Sequence, residues 1–78
     1  MNATELIRQT IRRFDEFTKK DVYEAVKDEI RHLKEPGLAV GMQISLARDR
    51  GEIIEVGKKR LGSHSVVKVW RKKREGEE

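Results

Sequence analysis

Cysteine is absent from this 78-residue sequence, and its absence removes several kinds of chemistry at once. Disulfide bonds, thiol catalysis and cysteine-ligated zinc are all excluded. The two histidines, His32 and His64, lie far apart in the sequence without companion ligands, so no metal site is expected. The sequence also lacks a nucleophile beside a base in a known motif and a glycine-rich phosphate loop. We therefore expect neither an enzyme nor a bound cofactor.

Long apolar runs are missing as well. No stretch approaches the roughly 20 apolar residues of a membrane-spanning helix, and the polar, amphipathic N-terminus is unlike a signal peptide. These features favour a cytoplasmic protein. With 78 residues, of which 36% are hydrophobic, the chain is expected to form one small domain over residues 1–72, followed by a charged tail at residues 73–78.

The charged residues, which make up 41% of the chain, are distributed unevenly. Residues 58–74 contain eight bases and no acid, which leaves ten bases and all 14 acids in the rest of the sequence. The net charge of +4 therefore comes from one stretch. Such a stretch is typical of a protein that binds a polyanion. A solvated face that only aids solubility is the alternative interpretation.

Three segments have the apolar spacing of amphipathic helices. The first covers residues 3 to about 16, with Asn2 as its cap. After a short break at residues 17–18, the second begins with Thr18 as its cap and runs to about residue 34. The third runs from residue 38 to 50 and ends at Gly51, which suits a left-handed turn. The expected stripes are Ile7, Ile11 and Phe14, then Val22, Val26, Ile30 and Leu33, then Val40, Ile44 and Ala47.

After Gly51 the apolar period falls to two, which indicates a β-hairpin. The glycine-bearing, polar residues 57–65 are expected to form a flexible loop between its strands. Trp70 should lie at the edge of the core on the opposite face of the hairpin, with a role at a binding interface as the alternative. The alternating apolar positions are Ile54 and Val56 in the first strand and Val67 and Val69 in the second.

This order of three helices and a hairpin resembles the winged helix-turn-helix superfamily over about residues 3–72. Residues 17–26, FTKKDVYEAV, are similar to the start of the second helix of such domains. Residues 44–54, ISLARDRGEII, are similar to the end of the recognition helix and the turn into the wing. The resemblance implies an α+β winged-helix fold whose third helix enters the major groove of double-stranded DNA while the hairpin wing touches an adjacent groove or the backbone. It also implies a small transcriptional regulator.

The third helix is poorly equipped to read bases, because the centre of its outward side carries Met42, Leu46 and Asp49. Base readout usually relies on Arg, Lys, Asn or Gln. Three interpretations stay open at this point. Met42 and Leu46 are buried within the same chain, they pack on another protein such as a second copy, or the helix still enters DNA and Met42 touches thymine methyl groups.

The hairpin is the better candidate for DNA contact, because lysine and arginine on a protruding hairpin can neutralise phosphates. Lys19 and Lys20 lie at the start of the second helix, an end that abuts the DNA backbone in the resembled fold. They are alternatively exposed lysines without a partner. The predicted DNA-binding residues are Lys19, Lys20, Gln43, Ser45, Arg48, Lys58, Lys59, Arg60, Ser63, His64, Lys68 and Arg71.

A homodimer is also considered, because two-fold dimers are the commonest homo-oligomers. Two surfaces qualify: Met42 with Leu46 on the third helix, and the first helix around Leu6. The first helix is preferred, since its use leaves the hairpin and the third helix free together. The alternative function is a protein-interaction winged-helix module in a larger assembly, which would use the apolar outer face of the third helix.

Overall fold

The computed structural model of the protein describes residues 2–63 and 65–74. The three strands form one antiparallel sheet in the order β1-β3-β2. The α+β class expected from the sequence is confirmed, with three helices and one strand that was not predicted. In chain order the elements are α1 (Ala3–Arg13), β1 (Glu16–Thr18), α2 (Lys19–Ile30), α3 (Pro36–Asp49), β2 (Ile53–Leu61) and β3 (Ser65–Lys72).

Helix α1 ends at Arg13, so its predicted extension to about residue 16 is wrong. Asn2 caps the helix as expected, because its Oδ1 accepts a hydrogen bond of 2.8 Å from the Glu5 backbone N–H. Phe14 then takes an extended conformation, and the predicted break at residues 17–18 is part of strand β1. Pairing of Phe17 with Trp70 of β3 draws this segment into the sheet, a long-range contact that local periodicity cannot reveal.

Helix α2 begins at the predicted cap and ends earlier than predicted, at Ile30 rather than near residue 34. The Thr18 backbone N–H donates to Asp21 Oδ2 at 2.9 Å, and the Asp21 N–H donates to Thr18 Oγ1 at 3.3 Å. This reciprocal pair satisfies two otherwise unpaired groups at the helix start. Val22, Val26 and Ile30 of the predicted stripe are fully buried, whereas Leu33, beyond the end of the helix, is half-buried.

Helix α3 begins at Pro36, two residues before the predicted start. Proline suits the first helical position because its fixed φ fits the helix and its missing N–H would be unpaired there. Gly51 follows the helix with φ of +76°, the left-handed turn that the sequence predicts. Val40, Ile44 and Ala47 are buried as predicted, with exposed fractions of 0%, 4% and 1%.

The predicted hairpin is confirmed as β2 and β3, but its buried face and its loop are not where the sequence placed them. Ile53 and Trp70 are the buried residues, whereas Val56 is 44% exposed. The pairing steps from Glu55 opposite Trp70 to Gly57 opposite Val69, so Val56 is the extra residue of a β-bulge. The supposed flexible loop is mostly strand, since β2 continues to Leu61 and β3 starts at Ser65.

The core lies between the three helices and the face of the sheet that carries Trp70. Trp70 is 6% exposed, so its core placement is confirmed. The half-buried side chains of Leu6, Phe14 and Leu33 pack against this core from outside. The buried apolar residues are Ile7, Ile11, Phe17, Val22, Val26, Ile30, Val40, Ile44, Ala47, Ile53 and Trp70.

The distal half of the hairpin extends away from the core. Every residue from Glu55 to Arg60 is exposed, although a strand that packs by one face would alternate between buried and exposed positions. Val66 on the return strand is 57% exposed. We call residues 57–61 and 65–69 the hairpin arm. The exposed side chains of the arm, such as Lys58, Lys59 and Arg60, therefore add little to the core and are accessible for contacts outside the chain.

The chain stays attached to the domain just beyond β3. The Lys73 backbone N–H donates to the Glu52 carbonyl at 2.9 Å. Of the tail predicted at residues 73–78, residues 75–78 lie outside the described part of the chain. No helix in the described residues is long and apolar enough to cross a membrane.

We expect Thr18→Val to lower the free energy of unfolding by about 1 kcal/mol, because it removes only the capping hydroxyl and leaves the Asp21 N–H unpaired. Chemical denaturation monitored by circular dichroism measures this change. Thr4→Val is the matched control, since Thr4 is an exposed threonine of α1. Equal stability of the two variants would show that the capping box does not hold the start of α2.

Candidate nucleic-acid interface

The strand register decides which bases of the hairpin arm share a face. Residues directly opposite in an antiparallel pair point to the same side. Lys58 lies opposite Lys68, and Arg60 lies opposite Val66. Lys68 is two residues from Trp70, so all of these side chains are on the face that carries the core, here called the inner face. Without the bulge at Val56, Lys58 and Arg60 would have pointed to the other side.

Positive charge on the arm is largely uncompensated. Lys58 and Lys68 are directly opposite each other, an arrangement that destabilises a sheet. Lys68 has partial compensation, because its Nζ lies 3.8 Å from Glu55 Oε1 and 5.8 Å from the centre of the Trp70 ring. Among the described residues, Lys58 and Arg60 form no ion pair. The arm therefore carries charge that does not help the fold.

An open groove of about 270 Å³ separates helix α3 from strand β3. Its floor is apolar, formed by Ile44 and Trp70, and no carboxylate of the described residues lines it. Hydroxyl, ammonium and guanidinium groups are the hydrogen-bond donors along its sides. The polar residues that line the groove are Lys19, Ser45, Arg48 and Lys68.

Lys19 reaches this groove because Gly41 has no side chain. A Cβ placed on Gly41 would lie 3.2 Å from Lys19 Nζ and 3.4 Å from Lys19 Cε, so the lysine crosses α3 at the glycine. Lys19 is the first residue of α2, where the helix dipole disfavours a positive charge. Positively charged side chains from three elements, α2, α3 and β3, therefore lie together at the groove. A bound anion would reduce the repulsion between them.

Four of the predicted site residues, Lys19, Ser45, Arg48 and Lys68, come together in the groove, and Lys58 and Arg60 are on the inner face of the arm. Arg48 Nη2 is also 3.1 Å from Asp49 Oδ1, which compensates part of its charge.

The other predicted site residues are elsewhere. Lys59 is on the outer face, where it lines a separate cleft with Glu16 and Asp21. Arg71 is half-buried on the same outer face, and its Nη1 donates to the Lys72 carbonyl at 3.2 Å.

The remaining predicted site residues differ in how exposed their side chains are. Gln43 is only 8% exposed, so its amide is not accessible to a base edge, and the prediction that it contacts DNA there is wrong. The helical projection placed it on a flank, but the side of α3 that packs on the core is wider than the stripe of Val40, Ile44 and Ala47. Lys20 and Ser63 are exposed, whereas His64 lies outside the described residues.

The outer side of α3 is apolar and exposed, so its interpretation as burial within the same chain is wrong. We call Leu38, Met42 and Leu46 the apolar stripe; their exposed fractions are 58%, 54% and 40%. Leu38 was missed by the sequence reasoning, although its spacing of four residues before Met42 signals the same face. Residues 36–47 contain no charged residue at all, in a chain that is 41% charged.

Two close ion pairs outside the groove neutralise charge locally. Arg50 Nε donates to Glu52 Oε2 at 2.8 Å, and this hydrogen bond lowers the pKa of the Glu52 carboxyl. Lys27 Nζ lies 2.8 Å from Glu24 Oε2, and their hydrogen bond lowers the pKa of Glu24 and raises that of Lys27. The charges of these four residues are therefore compensated within the chain.

No protein-family model matches the chain, and no curated protein or solved structure shows significant similarity to it.

We expect Gly41→Ala to raise the free energy of unfolding by about 0.5–1 kcal/mol, because alanine favours a helix and the new Cβ displaces only the flexible end of Lys19. Thermal and chemical denaturation measure the gain. The same substitution in a Lys19→Ala background is the control and should give an equal gain. A gain seen only in that background would contradict the prediction and show that Lys19 is held rigidly across α3.

Proposed function

We propose that this protein is a winged-helix domain that binds double-stranded DNA through its phosphate backbone and acts as a small transcriptional regulator. The observation that carries the proposal is the joining of two cationic surfaces. Lys58 and Arg60 on the inner face of the arm continue into the groove, which adds Lys19, Arg48 and Lys68. A linear polyanion can follow such a surface, whereas a single small anion would use only part of it.

The chemistry of these groups favours phosphates over bases. Lysine and arginine neutralise phosphates and release counterions, which gives affinity without sequence information. The helix that would read bases offers little for that task, since residues 36–47 are uncharged and Gln43 is buried. We therefore expect DNA binding that depends strongly on salt concentration and weakly on the DNA sequence.

The winged-helix assignment is supported by the order of the elements, with three helices before the β2–β3 hairpin. Strand β1, between α1 and α2, is an addition to the order read from the sequence, and it pairs with β3 on the side away from β2. It leaves the hairpin arm unobstructed. The regulatory role is the part of the proposal that depends on the resemblance alone.

A second candidate function is a protein-interaction module in a larger assembly. The apolar stripe favours it, because three large apolar side chains at least 40% exposed on one helix are typical of an interaction surface. The two candidates use different surfaces of the molecule, so DNA binding by the purified protein separates them.

Lys58→Ala and Lys59→Ala are a matched pair, because the two lysines are adjacent, equally charged and on opposite faces of the arm. We expect Lys58→Ala to weaken binding to every duplex and to reduce the slope of log affinity against log salt by about one, the loss of one phosphate contact. Lys59→Ala should have a smaller effect. Fluorescence anisotropy titrations of two unrelated duplexes at several salt concentrations measure both quantities.

Wild-type protein that does not bind either duplex at low salt, or binds with no dependence on salt, would refute DNA binding. Equal losses in the two variants would show instead that the inner face is not the binding surface. A Lys58→Ala loss confined to one duplex would mean that the arm reads bases.

A further inference from the structure

The apolar stripe has a symmetry of its own, centred on Met42. Leu38 and Leu46 lie four residues before and after it, and the small residues Ala39 and Ser45 lie three before and after. Residues separated by three or four positions share a face of a helix. The outer side of α3 therefore carries similar side chains at equal distances before and after Met42, over a length of about 12 Å between Leu38 and Leu46.

A helix face whose side chains follow the same order in both directions is complementary to the same face of an antiparallel copy. If two α3 helices cross antiparallel with Met42 on the two-fold axis, Leu38 of one copy faces Leu46 of the other. Each Ala39, which is half-buried against the core of its own chain, lies near a Ser45 of the other copy, and these small side chains allow a close approach within the usual 8–10 Å between helix axes. Isologous two-fold contacts require this self-complementarity.

The ends of α3 also suit an antiparallel partner better than they suit an isolated helix. Its N-terminus has no side-chain cap and no acid in the first turn, while Asp49 lies at its C-terminus, where the helix dipole disfavours a carboxylate. In the antiparallel pair, Asp49 of each copy lies beside the uncapped N-terminus of the other. The same symmetry brings Asp49 near Glu35 of the other copy, and the Arg48 guanidinium, whose Nη2 lies 3.1 Å from Asp49 Oδ1, offsets part of this negative charge.

We propose that the protein forms a two-fold homodimer through the apolar stripe, with antiparallel α3 helices crossing at Met42. The occupant is a second copy of this chain, because the stripe matches itself position by position and has no charge of its own for an unlike partner to complement. The first helix, preferred on sequence grounds, is a weaker candidate because Leu6 is half-buried against the core of its own chain.

This dimer does not rest on the proposed function, although the two surfaces meet at Ser45 and Arg48, which line the groove and lie at the edge of the dimer contact. None of the stripe residues is on the hairpin arm, so both arms stay outside the contact. Two linked arms would raise the apparent affinity for one polyanion through effective concentration. The dimer also accounts for a third helix that is too apolar to lie in a DNA groove.

The test uses sedimentation equilibrium of the full chain without nucleic acid over a wide concentration range. Wild type should follow a monomer–dimer equilibrium, and Met42→Glu should weaken the association at least about 100-fold, because two like charges would meet on the axis. Val66→Glu is the matched control, since Val66 is 57% exposed on the arm, and it should dimerise like wild type. Circular dichroism checks that each variant is folded.

Mixing two charged variants tests the symmetry itself. Met42→Glu and Met42→Lys should each be monomeric, and their equimolar mixture should dimerise, because position 42 of one copy faces position 42 of the other. A wild-type monomer at all concentrations overturns the proposal. Dissociation by Val66→Glu equal to that by Met42→Glu, or a mixture that stays monomeric, overturns it as well.

Discussion

Phe17 and Trp70 lie opposite each other on strands β1 and β3, within the buried core, and several elements depend on this strand contact. Both side chains are nearly inaccessible, at 1% and 6% exposed, and the Phe17 ring centre also lies 6.0 Å from that of Phe14. Helix α1 ends before this pair, because the chain must turn into the sheet for Phe17 to lie opposite Trp70. The pair also sets the start of α2, because Thr18, the next residue after Phe17, is the helix cap.

The same contact positions the candidate site. Lys19 follows the cap directly, so fixing Phe17 against β3 brings this lysine to the side of α3 where Gly41 admits it. Trp70 forms part of the groove floor, and Lys68 projects from the same face two residues earlier. The pairing of these two buried residues thus helps to place the charges of α2 and β3 at the groove.

Charge is used differently in the two parts of the surface. Around α2 and the turn after α3, some acids and bases are paired, as with Glu24 and Lys27. On the arm and in the groove, two placements of cations are unfavourable for the fold, since Lys58 lies opposite Lys68 and Lys19 is at a helix N-terminus. Unfavourable placements of this kind are expected where stability has been given up for binding, and they support the proposed DNA contact.

Helix α3 has a different role on each of its two sides. One side packs on the core through Val40, Ile44 and Ala47, and the other carries the apolar stripe. The basic residues of the domain avoid this helix until Arg48. A division of labour follows from the two proposals, in which the hairpin arm contacts DNA and the stripe joins two copies.

The sequence by itself determined the features that depend on neighbours a few residues away. Caps such as Thr18, the turn at Gly51 and the buried stripes of three helices are short-range properties, repeated over several turns or fixed within three positions. Only the tertiary structure decided the rest. Strand β1 has three residues, too few to show a period, and its partner is more than fifty positions away. One inserted residue at Val56 reversed the faces of the arm, so Lys58 rather than Lys59 lies on the inner face with Lys68. The burial of Gln43 and the exposure of Leu38 likewise depend on which elements pack against α3, a choice made by long-range contacts that periodicity does not contain.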